Sequence, residues 1–279
     1  MEESLFFRNL DGKNLFGNVF SPVEARKTMG IVVCHPIAEE RNITRRVLVN
    51  LSRALSVKGY PVLLFDYFGE GDSEGDFSEA TVESRLLDTL SAKAFLREQA
   101  RVDRVGLLGL RFGATAAYLA ATREPDVACV VMWQPVISGN HFFHEWLRSN
   151  MASQMLLYGK VLFSREQLVA ELSGGRPLEI DGFVVTRTFY EQLRGLDLTS
   201  SAGVLTAIPT LMLELSQSGN PQDKLIQQFA GIAGQKPGFR YATLKRSFDW
   251  QNMKRYDPSP MNVYDFSADW LHSFAAASA

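Results

Sequence analysis

The chain has 279 residues, 46% hydrophobic and 22% charged, with 29 basic against 31 acidic side chains and a formal net charge of -2. This balance supports one large buried core and excludes both a disordered, highly charged polymer and a broad cationic footprint for nucleic acid. No apolar run approaches the roughly 18 residues of a membrane span, the start MEES is not that of a secretory signal, and Cys34 and Cys129 sit in apolar runs as reduced thiols; a cytoplasmic protein is expected.

In chain order, SLFFRNL and NLFGNVFSP flank Asp11-Gly12 and predict a β-hairpin. Gly30 to Cys34 is a continuous apolar run, the mark of a strand buried on both faces. Val47, Leu48, Leu51 and Leu55 then fall at helical spacing between Thr44 and Lys58, before Gly59. The alternation repeats: PVLLFDYFG is a strand, Glu79 to Glu98 a helix, RVGLLGL a strand, Ala114 to Thr122 a helix and VACVVMWQPV a strand. It resumes after an interruption with a strand from Thr210 to Leu215, a helix from Asp223 to Ala233, the strand FRYATLK and a helix from Asp265 to Phe274. Strands alternating with helices at this spacing predict a mostly parallel central sheet with helices on both faces. The interruption, residues 139–198, contains HFFHEWLRSNMASQMLLYGKVLF, a strand-like LEIDGFVVT and a helix ending near Gly195. It reads as a lid or cap on a core made of residues 1–138 and 199–279, with Phe142, Phe143, Trp146, Met151 and Met155 grouped on its first helix.

Three loops follow the carboxyl ends of the buried strands, where this architecture places its ligands. The first is CHPIAEERN. The second is DYFGEGDSEGD, whose acids and Ser73 satisfy turn amides. In the third, GLLGLRFGATAAYLA, Gly109 and Gly113 bracket Arg111 at an abrupt strand-to-helix turn. Small residues two before and two after the central position are the requirement of a nucleophile elbow, because the two backbones pass very close there.

Together HPIAEERN, DYFGEGDSEGDF, GLRFGA and WQPVISG resemble the α/β-hydrolase superfamily, and within it are similar to the bacterial group called exosortase A system-associated hydrolase 2. The resemblance runs from about Gly30 to Met155. It implies an α/β-hydrolase fold with a lid, in bacteria that make extracellular polysaccharide and sort proteins by exosortase, and partners in envelope or polysaccharide assembly. By position, the backbone N–H groups of Ile37 and Phe112 are then the oxyanion or anion-binding donors.

An acyl-transfer enzyme of this fold needs Ser, then Asp or Glu, then His, in that order. The elbow carries Arg111, whose guanidinium is protonated at physiological pH and is no nucleophile. Glu214, or in second place Asp223, stands in the acid loop. The four histidines are His35, His141, His144 and His272, and the loop KRSFDWQNMKRYDPSP after the last strand contains none. His141 and His144 lie one helical turn apart without a third ligand at clear spacing, so no metal is expected, nor any cofactor.

Arginine at an elbow suits an anion: its planar fork matches a carboxylate or phosphate, and helix N-termini favour negative charge. The leading expectation is therefore a chain of hydrolase ancestry, lacking the triad Ser and His, that binds an anionic small-molecule, acyl or lipid-linked ligand through Arg111. The competing structural role pairs Arg111 with Glu39, Glu40 or Asp66. Two other functions stay open: an ester or thioester hydrolase in which His35 with Glu39 or Glu40 directs a water, and a protein-interaction module using the lid surface.

Overall fold

The hairpin around Asp11-Gly12 forms as the sequence predicts: β1 (Glu2–Arg8) pairs antiparallel with β2 (Asn14–Phe20), Glu2 opposite Phe20 and Arg8 opposite Asn14. In the computed structural model, the described residues are 1–23, 27–201, 208–250 and 259–277. The hairpin is one edge of an eight-stranded sheet with the order β1-β2-β4-β3-β5-β6-β9-β10. Here β3 is Met29–Cys34, β4 Val62–Phe65, β5 Arg104–Leu110, β6 Val127–Trp133, β9 Thr210–Ser216 and β10 Phe239–Lys245. From β4 to β10 every pairing is parallel, and β2 meets β4 antiparallel. All residues of β3, β4 and β9 are buried, which is why they read as unbroken apolar runs.

Helices cover both faces. One core layer joins α1 (Ala38–Val57) and α9 (Met261–Ala277) to the sheet through Val47, Leu51, Trp133, Val263 and Tyr264. The other holds α2 (Val82–Gln99), α3 (Phe112–Arg123) and α8 (Lys224–Ala233), with Tyr118 against Phe229 at 5.5 Å between ring centres. Among the described residues no helix is long and apolar enough to cross a membrane.

Between β6 and β9 run α4 (Gly139–Tyr158), α5 (Arg165–Ser173), a hairpin of β7 (Leu178–Ile180) and β8 (Phe183–Val185), α6 (Arg187–Arg194) and the short α7 (Leu198–Ser201). Two readings of this stretch are corrected. LEIDGFVVT is a pair of strands, because Asp181 and Gly182 both take positive φ (52° and 84°), the geometry of a tight hairpin turn. The helical stretch through LLYGKVLF stops at Tyr158, where Gly159 turns left-handed, and Ser164 opens a separate α5 with a capping box to Gln167. The two ends of the segment meet: Gly139 N–H donates to the Leu196 carbonyl and Leu198 N–H to that of Ile137, both at 2.9 Å.

Candidate functional site

At the switch point between β3 and β5 the loops after these strands open a crevice. On one side β5 ends and α3 begins after the single residue Arg111, with φ 54° and ψ -122°. A side-chain-bearing residue in that region carries strain of about 1–3 kcal/mol. It is held there because Arg111 N–H donates to the Trp133 carbonyl at 2.9 Å, while its own carbonyl accepts from Ala114 and Thr115. A Cβ on Gly109 would strike the backbone of Gly113, and one on Gly113 would strike the carbonyl oxygens of Cys34 and His35. The two glycines let α3 lie directly on the end of β3, as the sequence pattern requires.

The guanidinium of Arg111 is buried and engaged by acid. Nε lies 3.1 and 3.2 Å from the two Glu40 oxygens and Nη2 lies 3.0 Å from Oε1, with Glu145 of α4 at 3.6 Å. Its plane is flanked by aromatic rings, Trp250 at 5.1 Å and Phe142 at 5.6 Å. Burial opposes the charge on Arg111, but Glu40, Glu145 and Asp223 together hold its pKa above the ordinary arginine value. Burial also raises Glu40 above the usual carboxylate range, with Arg111 pulling it the other way. Nη1 has no acceptor among the described residues.

Beside this pair is a cavity of about 50 Å³ lined by Ile37, Glu40, Ile43, Phe142, Trp146 and Trp250, among others. A second, of about 20 Å³, reaches Arg111 from the side of His141, Phe142, Glu145 and Asp223. Ile37 lies immediately before α1 and lines the first cavity, and Phe112 is the first residue of α3, so both amides sit at helix N-termini. Phe142, Phe143 and Trp146 are buried, Met151 is half-buried and Met155 is exposed, so only the first turns of α4 pack toward the site.

The other candidates divide between this crevice and the structure that supports it. Glu39 is exposed, lines the open side of the 50 Å³ cavity and accepts a long 3.5 Å bond from Asn42. His35 is fully buried, with Nδ1 against the Pro36 carbonyl and Nε2 3.6 Å from Asp66. Burial and then Arg41 depress its pKa to about 4, so it is neutral. The structure does not bring His35 to Glu39 or Glu40, and a water-directing set of those residues does not form. Arg41 and Arg45 share Asp66, and Arg85 and the Ala38 amide share Glu70; this buried network braces the CHPIAEERN loop. Glu214, first choice for the acid, is consumed structurally: it accepts from the Gln222 and Asp223 amides and the Tyr241 hydroxyl. Asp223 is the carboxylate of that loop that lines the Arg111 cavity, held by Gln134 at 3.3 Å while it caps α8. His141 lines the same cavity and lies 3.5 Å from Glu145. Of the loop after β10, residues 251–258 lie outside the described residues, and its described part brings Trp250 onto Arg111. The sequence reading missed Glu145 and Trp250. Glu145 was signalled by its place one turn after His141 on a helix pointing at the elbow.

Residues 11–172 match the family described as X-Pro dipeptidyl-peptidase (S15 family). An uncharacterized 31.7 kDa protein of the traX-finO intergenic region of Escherichia coli is 23% identical over 207 residues, 72% of this chain and 68% of that protein. The quorum-quenching protein AidA of Acinetobacter baumannii is 26% identical over 165 residues, 58% of this chain and 51% of its own length. The esterase Pf2001 of Pyrococcus furiosus superposes with a TM-score of 0.65 at 16% identity, covering 99% of this chain and 93% of that one, a likeness of fold. With the family match spanning more than half of its residues and the sheet order described above, the chain belongs to the X-Pro dipeptidyl-peptidase (S15) family and has the α/β-hydrolase fold.

Proposed function

We propose that this chain is a binding protein on a hydrolase scaffold, in which arginine replaces the elbow serine and anchors an anionic ligand. The observation that carries the reading is the placement of Arg111. A charged guanidinium sits at the strained turn, sandwiched by Phe142 and Trp250, and Glu40 occupies only its Nε and Nη2 side. Nη1 is left for a ligand carboxylate or phosphate, and the helix N-termini at Ile37 and Phe112 favour negative charge.

A cavity of about 50 Å³ holds a few waters at most, whereas bound small molecules fill roughly 300–1,000 Å³. Residues 139–198 therefore act as a lid that shifts for entry, carrying Phe142 and Glu145 away from Arg111. The contacts that join Gly139 to Leu196 and Ile137 to Leu198 support such a segment moving on one stem. The resemblance to exosortase A system-associated hydrolase 2 supports a cytoplasmic role in polysaccharide or envelope assembly, with an acyl or lipid-linked anion as ligand. The quorum-quenching relative supports a small molecule over a polymer.

Calorimetric titration of octanoate, glucose 1-phosphate and farnesyl phosphate into wild type and Arg111→Lys tests the reading. Lysine keeps the charge and loses the fork, so binding of the recognised anion should weaken about tenfold or more. Equal affinity for both proteins removes the anchor.

A further inference from the structure

The last two turns of α4 leave the body of the protein. Met155, Leu156, Leu157 and Tyr158 are 49%, 87%, 76% and 61% exposed, and beyond Gly159 the residues Leu162 and Phe163 are 45% and 55% exposed. Monomeric proteins rarely show water so many adjacent large apolar side chains. The turn is ordered by polar contacts instead of packing: Gln154 accepts from the Leu162 amide at 2.9 Å and donates to Asn150 at 2.7 Å. The result is an exposed apolar tip, led by Leu156, whose Leu157, Tyr158, Leu162 and Phe163 also form one wall of an open cavity of about 670 Å³.

The tip's own segment carries cations only. From Trp146 through Arg165 the chain carries Arg148, Lys160 and Arg165 and no acidic residue. Arg148 and Lys160 are exposed and have no carboxylate partner among the described residues. The neighbouring acids are Glu166 and Glu171, each tied to an arginine, Arg165 at 3.1 Å and Arg176 at 3.0 Å, half-buried Asp181, which accepts from Trp146 and Asn150, and exposed Glu179.

We propose that this tip docks onto an anionic membrane surface, its leucines, Tyr158 and Phe163 entering the headgroup boundary while Arg148 and Lys160 meet lipid phosphates. Apolar side chains flanked by cations and an aromatic ring at the interface are the composition that such surfaces recognise. A second copy of the chain is disfavoured because an isologous contact sets the same patch against itself, cation facing cation. The inference is independent of what Arg111 holds.

Flotation with vesicles of equimolar phosphatidylglycerol and phosphatidylcholine, or of phosphatidylcholine alone, tests it on the full chain. Wild type should float with the anionic vesicles only. Leu156→Ser with Leu157→Ser and Phe163→Ser should lower partitioning about tenfold or more, and Arg148→Glu with Lys160→Glu should lower it on anionic vesicles by a similar factor. These exposed positions leave folding intact, which an unchanged thermal midpoint verifies. Failure to float with anionic vesicles overturns the proposal, as does a concentration-dependent dimer that the serine variant dissociates, since the occupant is then a second copy.

Discussion

Arg111 and Glu40 meet across the crevice floor through three contacts of 3.0–3.2 Å, the first from the strand-to-helix turn after β5 and the second from the opening turn of α1. Both are buried, so each compensates a charge the other would leave stranded. Arg111→Leu or Glu40→Leu alone should lower unfolding free energy by about 3–5 kcal/mol, whereas the double Leu variant should lie within about 1 kcal/mol of wild type. Urea unfolding of the four proteins checks this. Additive losses would show that the two side chains do not act as a pair.

The same pair sets a pH dependence. Glu40's folded pKa is raised above the ordinary carboxylate value of 4.5, chiefly by burial, so between those two values the native state holds a proton that the unfolded state has released. Stability contributed by this group is greatest below about 4.5 and declines as pH rises through the window. Arg111 limits the decline, and Arg111→Leu should steepen it. Unfolding midpoints from pH 4 to 8, compared between wild type and the variant, provide the measurement; parallel curves would contradict it.

A serine placed at the elbow should not by itself create hydrolysis. In Arg111→Ser the hydroxyl stands at the elbow, but His35 is buried against Asp66 and Pro36, His272 lies by Lys27 at 3.3 Å, and His141 is half solvent-exposed beside Glu145. Among the described residues, none of these three donates a hydrogen bond to a carboxylate, the contact that orients a triad's base: His35 and His141 stand 3.6 and 3.5 Å from Asp66 and Glu145. Turnover of p-nitrophenyl butyrate by Arg111→Ser should stay within about tenfold of the buffer rate. A larger rate, abolished by His141→Ala, would establish residual catalytic machinery.

The sequence showed the sheet because β3, β4, β5 and β9 are buried on both faces and their apolar runs are continuous, and it showed the elbow because Gly109 and Gly113 have no substitute at that approach. It mislocated the start of α1 by six residues, since Ala38 to Ile43 opens with Ala38 at φ 55° and two glutamates, and no apolar period marks that turn. Long-range charge pairing was illegible. Nothing local in HPIAEERN says that Glu40 reaches Arg111 while Glu39 faces water, and nothing in LMLELSQSGNPQD says that Glu214 is taken by its own loop's amides and Tyr241. Those outcomes depend on where α1 and β10 are placed by packing over the whole sheet.

His35 gives a limb at lower pH. Burial holds its folded pKa at about 4 against an ordinary 6.5, so below 6.5 the unfolded state takes up a proton that the native imidazole refuses. The shift is worth roughly 3 kcal/mol, absent above pH 6.5 and fully expressed as destabilisation below about pH 4. His35→Gln lacks that limb. Chemical denaturation at pH 7 and pH 4.5 should show a smaller drop in the variant than in wild type, and an equal drop would assign the acid sensitivity to other groups.

Gly113 is the residue on which the elbow's geometry rests most directly. A methyl group there meets the carbonyl oxygens of Cys34 and His35, and backbone on one side and sheet on the other give it nowhere to go. Gly231, within the exposed face of α8, is the control: nothing lies within 4 Å of its added Cβ. Gly231→Ala should stabilise by about 0.5–1 kcal/mol through reduced unfolded-state freedom and better helix propensity. Gly113→Ala should destabilise by more than about 3 kcal/mol, because α3 has to lift off the end of β3 and the support that holds Arg111 at positive φ is released with it. Thermal unfolding of the two variants side by side separates a steric demand at the elbow from a general preference for alanine over glycine. A Gly113→Ala protein that melts near wild type would mean that α3 and the Cys34-His35 backbone are not packed as closely as the structure has them.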